Sequence, residues 1–226
     1  MLIAFLLSGL YSLYAQQTNY WKDTNPPAVG WAQRLIVPQA ARTIDIDKAA
    51  LLEVLEGAPT EGSTTAATSD FIFTLPTPDG GTEAFRLVNS PIMAPGLARQ
   101  FPAIQTFLGK SLEDGRALAR IDYTHKGFHA MVLKGEETYY IDPFYHNYPH
   151  NAHQIYYRRD YTSGEPFNCA VEHSDQATGN AGSNAAFVGE ELRTYRLAVA
   201  ATGEYTQFHG GTVPDAIAAI VTSMNR

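Results

Sequence analysis

The sequence predicts a mainly β protein with short helices, of the α+β kind, followed by an unfinished α/β unit. Three observations carry this. Four short runs rich in aromatic and branched residues follow one another at hairpin spacing between residues 116 and 161. Upstream, two further runs flank Pro78-Asp79-Gly80-Gly81, which supplies the backbone freedom of a tight turn. After a stretch of weak periodicity, residues 194–225 read as one strand and one helix, half of an α/β unit.

The elements follow in order. Residues 2–14 form an apolar run that ends at Ala15. It is shorter than the roughly 20 residues that cross a bilayer, and it has the length of a secretory signal core with a small residue at the cleavage point. Met1 leads straight into Leu2, without the usual preceding positive charge. Residues 1–15 are therefore expected to be a signal peptide, which implies a secreted protein with no membrane contact once the signal is removed. The alternative is a buried N-terminal strand or helix.

Residues 16–161 are expected to form one β-rich domain. Its start is extended and punctuated by proline. In DIDKAALLEVLEGAP, Asp45 or Asp47 caps a helix, Leu51, Leu52 and Leu55 form its apolar stripe, and Gly57 with Pro59 ends it. Residues 60–69 make a loose loop, 70–93 a hairpin, and 94–110 a short helical stretch broken at Pro102. RALARIDYT, GFHAMVLK, TYYIDPF and HQIYYRRDY are strands. In the first, Ala119, Ile121 and Tyr123 share one face, opposite Arg120 and Asp122. Residues 162–190, rich in Gly, Ser, Asn and Ala, read as a linker that carries the single cysteine, Cys169.

Residues 191–226 return to order. TYRLAVAAT is a strand covered on both faces. Thr212 caps the following helix, with Asp215 three residues on and Pro214 in its first turn. Val213, Ile217, Ile220, Val221 and Met224 make its apolar stripe. A strand and a helix cannot bury their faces alone, so the chain is expected to be cut from a longer one. The helix is expected to pack poorly on the β domain.

The chemistry is sparse. A net charge of −7 argues against a general nucleic-acid binder, and one cysteine excludes a disulfide within the chain. His146, His150 and His153 are close in sequence, but Pro149 breaks any helix between them; a polar hairpin loop is the better reading than a metal site. His125 and His129 flank a turn. No nucleophile elbow, phosphate loop or dinucleotide fingerprint is present, and the carboxylates are scattered. The aromatics of YYIDPFYHNY suit a β core better than a sugar or peptide site.

The final stretch resembles the opening of the catalytic domain of reprolysin-like (adamalysin-type) zinc metallopeptidases, members of the metzincins, in their secreted bacterial branch. Tyr195, Leu197, Val199, Tyr205, Phe208, His209, Gly210 and Asn225 stand in that pattern. Upstream, Gly127, Tyr139, Ile141, Pro143, His153, Tyr156 and Arg158 resemble the end of the same family's propeptide. The resemblance implies an α+β propeptide domain followed by the truncated α/β start of a metzincin catalytic domain. The family's His-Glu-x-x-His-x-x-Gly-x-x-His zinc motif is nowhere in these 226 residues. Catalytic and cofactor-binding residues are therefore not assigned, and zinc is expected in the full-length parent but not in this chain. The implied partner is the chain's own downstream metallopeptidase domain. The resemblance also makes Cys169 a candidate inhibitory zinc ligand of the precursor, although Ala170 follows it where better-known switch sequences have Gly. The alternatives are a plain unpaired or buried thiol, or one paired with a cysteine beyond Arg226. The implied role is folding and latency of the protease. The rival reading is a secreted β-rich binding or adhesion module without a protease.

Overall fold

The computed structural model describes residues 20–148, 150–162 and 197–226. The expected signal peptide, most of the expected linker, Cys169 and Tyr195 lie outside the described residues. The described part is mainly β. Nine strands, β1 (Trp21–Asp23), β2 (Arg42–Ile46), β3 (Ile72–Pro76), β4 (Thr82–Asn89), β5 (Gln105–Ser111), β6 (Leu118–Thr124), β7 (Gly127–Leu133), β8 (Tyr139–Pro143) and β9 (Ala152–Tyr157), form one sheet. Its order is β1-β2-β9-β8-β7-β6-β5-β4-β3, and every neighbouring pair is antiparallel. Strands β3 to β9 are thus a meander, and the β1–β2 hairpin is added at β9.

The sheet curls, as the right-handed twist of its strands favours. Its two ends meet: the Tyr20 hydroxyl donates to the Thr74 carbonyl at 3.0 Å, and the Tyr20 and Phe73 rings stack at 5.2 Å. Arg42 on β2 donates to the carbonyls of Thr77 and Gly81, in the turn between β3 and β4. The alternating residues of each strand fill the concave side. Ile44, Phe73, Phe85, Leu87, Phe107, Ile121, Ile141 and Ile155 are essentially without exposed surface. Helix α1 (Lys48–Glu56) adds Leu51 and Leu55 to this core. Its cap is Asp47, whose Oδ1 accepts from the Ala49 and Ala50 amides at 3.1 Å.

Two expectations are corrected. Residues 94–110 are helical only over α2 (Pro95–Ala98); Gln105–Ser111 is strand β5, between β6 and β4, with Phe107 inward. Leu197–Ala200 has no regular structure, is exposed and pairs with no strand of the sheet. A short helix, α3 (Gly203–Phe208), follows, capped by Thr202, where a loop is expected from sequence. Helix α4 (Val213–Asn225) forms as expected, with the Thr212 Oγ1 accepting from the Asp215 amide at 3.3 Å.

Helix α4, expected to pack poorly on the β domain, lies outside the main core. It docks on the convex side of the sheet. Ala218 and Val221 join Ile104 in a small second cluster, apart from the main core. Of the expected stripe, Val221 is buried and Ile217 and Ile220 are half-buried, while Val213 and Met224 stay largely exposed. A polar seat rather than apolar area explains the docking.

Candidate functional site

That seat is built by strand alternation. Ala119 and Ile121 of β6 face the core, so Asp122 and Thr124, of the opposite parity, face the convex side, where α4 covers them. Asp122 has no exposed surface. Its Oδ2 accepts from the Thr222 hydroxyl of α4 at 2.6 Å and lies 3.0 Å from Nδ1 of His129, its register partner on β7. One turn further along α4, the Asn225 side-chain amide donates to the Ile121 carbonyl at 2.9 Å.

Asp142 on β8 lies on the same convex side. Its Oδ2 accepts from the Tyr156 hydroxyl of β9 at 2.8 Å, and its Oδ1 takes a charge-assisted hydrogen bond from the Arg226 guanidinium. Burial works against the Asp142 carboxylate, but Arg226, His129 and the Arg226 and Tyr156 hydrogen bonds together hold its pKa below the ordinary value. Burial likewise opposes the charge on Arg226; Asp142 and Asp122 outweigh it and keep the guanidinium ionised. The pair satisfies the condition on buried charge, that it be paired and hydrogen-bonded.

A second set of bonds holds the start of α4. Asp215 lies 2.8 Å from His125 Nε2 and 3.3 Å from Lys126 Nζ, both in the β6–β7 turn. Although burial raises its pKa, the bonds from Thr212, His125 and Lys126 outweigh this and bring it well below the carboxylate range. Gly210, at φ +127°, lets the backbone approach: a Cβ there would sit 2.6 Å from Asp215 Oδ2. The β8–β9 loop completes the contact, with His146 Nε2 and Asn147 Nδ2 donating to the Phe208 carbonyl at 3.0 and 2.8 Å.

Between these contacts lies a cleft of about 270 Å³, lined by Leu35, His129, Phe144, His146, His209 and Thr222 among others. Burial lowers the pKa of His209, with His146 and Lys126 adding to it, so this wall carries a neutral imidazole near neutral pH. A volume of this size sits at the small end of ligand sites. Among the described residues, its lining offers donors and acceptors suited to recognition.

The three sequence-neighbouring histidines do not converge. His146 serves Phe208, His150 Nδ1 accepts from the Ala152 amide at 2.6 Å, and His153 is buried inside β9. Among the described residues no group of three or more His, Cys, Asp or Glu is placed to hold a metal ion. Sequence reasoning treated the carboxylates as scattered and so missed Asp122 and Asp142. The off-core parity of Asp122 in RALARIDYT was the available signal; the partnership of Asp142 with Arg226 has no local signature. Comparison of the chain with protein-family models, with curated proteins and with solved structures finds no match.

Proposed function

We propose that this chain is the N-terminal, propeptide-bearing part of a secreted zinc metallopeptidase precursor, and that its β domain assists folding and latency of the protease that follows. In this reading residues 16–161 are the metzincin propeptide and residues 191–226 the first elements of the catalytic domain. One observation carries it. The helix from the catalytic-like stretch is held on the sheet by bonds between residues of the two family-like stretches, Asn225 with the β6 backbone and Arg226 with Asp142, which Tyr156 supports. A propeptide that templates its enzyme needs such a seat for a helix near the enzyme's start. Mostly polar contacts also suit a partner that must later leave. Zinc would belong to the downstream domain, and Cys169 would act there as the inhibitory ligand, filling the position that a catalytic zinc keeps open for water.

Two measurements test this. The reading frame beyond Arg226 should encode His-Glu-x-x-His-x-x-Gly-x-x-His; its absence would leave the secreted binding module as the better account. In the full-length precursor, Asp142→Asn should lower the yield of latent enzyme, and Cys169→Ser should give early self-activation. A precursor that stays equally latent after Cys169→Ser removes the thiol switch and leaves blocking by the β domain. The chain itself should cleave no casein with added zinc, and chelator-sensitive cleavage would contradict the proposal.

A further inference from the structure

His153 stands at a junction of three strands, opposite Ile44 on β2 and Pro143 on β8, with no exposed surface. Its Nδ1 lies 2.7 Å from the Asn151 carbonyl oxygen, which can only accept, so the ring proton sits on Nδ1. Nε2 is then a bare lone pair. It is fully buried, and among the described residues nothing donates to it. The Phe128 ring meets the imidazole edge-on at 6.4 Å. Room beside Nε2 is left by Gly127, where a Cβ would stand 3.5 Å from that nitrogen and 3.0 Å from Pro143. The ionisable groups whose charge acts on the ring are Lys48 from α1, His129 from β7 and Asp142 from β8. The first two oppose a positive charge there and the third favours it. None of them accepts a bond from Nε2.

We infer that His153 is an acid-sensitive keystone: a proton taken up at Nε2 drives the ring out of the core, parts β9 from β2 and β8, and opens the domain in mildly acidic surroundings. A buried imidazolium with one N–H and no acceptor is a strongly disfavoured state. Burial is the largest influence and carries the pKa down to about 3; His129 and Lys48 add to it, while the Asn151 bond and Asp142 oppose it. The unfolded chain binds the same proton near the ordinary imidazole value of about 6.5. A folded pKa below the unfolded one means that the stability is complete above about pH 6.5 and is lost as pH falls below it. For one proton the folding equilibrium constant drops roughly tenfold for each pH unit in that window. Opening at β9 also takes away Tyr156, whose hydroxyl supports Asp142 in the seat of α4. Were the chain the propeptide proposed above, mild acid would become a release signal. That consequence rests on the earlier reading, whereas the acid response of the fold does not.

The test is urea unfolding of the full chain at pH 7.5, 6.0 and 5.0, followed by circular dichroism. The wild type should lose about a factor of ten in folding equilibrium constant between pH 6.0 and 5.0 through this site, and His153→Phe should lose correspondingly less. Should His153→Phe fail to fold, imidazole proton resonances of the wild type decide: the His153 ring should keep its neutral shift for as long as the chain is folded and take up its proton only together with unfolding. A ring that titrates near pH 6.5 in the folded chain, or a His153→Phe variant with the full wild-type slope, overturns the inference. Failure of the latency experiments with this slope intact would count against the propeptide reading alone.

Discussion

Asp142 and Arg226 hold each other ionised in a place where neither would be tolerated alone. Removing one partner strands the other, and such losses run at about 3–5 kcal/mol. Asp142→Asn should therefore free α4 from the sheet before the sheet itself unfolds. Amide hydrogen exchange in residues 216–225 would report it as a loss of protection confined to that helix. The double variant Asp142→Asn, Arg226→Met should recover part of the loss, because no charge is left buried. The pH sense follows from the direction of the shift. Asp142 has a lowered folded pKa, so its contribution is complete above the ordinary carboxylate value and is lost as pH falls through the lowered one. Little of this was readable beforehand. The parity of Asp122 was visible in RALARIDYT, but Asp142 and Arg226 lie 84 residues apart, and no periodicity links them.

Helix α4 shows what local sequence can and cannot say. Its cap, its proline and its length were legible, since each is a rule within one turn of chain. Thr212→Ala should cost about 1 kcal/mol of helix stability, visible as faster exchange in the first turn while the Arg226 end stays protected. Its docking face was not legible: small Ala218 and polar Thr222 and Asn225 make the contact, and hydrophobicity points elsewhere. Strand β5 was missed for a related reason. Phe101, Ile104 and Leu108 fall at helical spacing, and the turn at Pro95 starts helically, so the alternation of Gln105, Phe107 and Gly109 was masked. Gly109 itself marks the strand, since a Cβ there would meet Ala119, Phe85 and Leu87 at 3.2–3.3 Å. The strand expected at residues 194–202 had an acceptable pattern at Leu197 and Val199, but pattern alone does not supply a neighbouring edge.

At the scale of the molecule, the curl depends on a few bonds between the two ends of the sheet. Arg42, well covered by its surroundings, donates to two carbonyls of the β3–β4 turn, and its bond to the exposed Asp23 adds little. Arg42→Ala should lower global stability by about 1.5–3 kcal/mol, the range for hydrogen bonds from a charged group, and Tyr20→Phe by about 1 kcal/mol. Thermal unfolding would measure both. A Tyr20→Phe variant that loses far more than this would show that the hydroxyl does more than close the seam.

The strand order also fixes a timetable. Strands β4 to β9 each pair with the strand before them in sequence, so each can zip on as it leaves the ribosome. The β1–β2 hairpin is made first but has its place beside β9, and must wait while about a hundred residues are synthesised. During that wait Ile44 and Ile46, later among the most buried side chains, have no sheet to cover them. A nascent chain arrested short of residue 152 should be cut readily by protease within residues 20–46, and one extended past residue 162 should resist. The newborn chain is thus most vulnerable at its own beginning, and His153, in the strand that ends the wait, stands where that vulnerability closes.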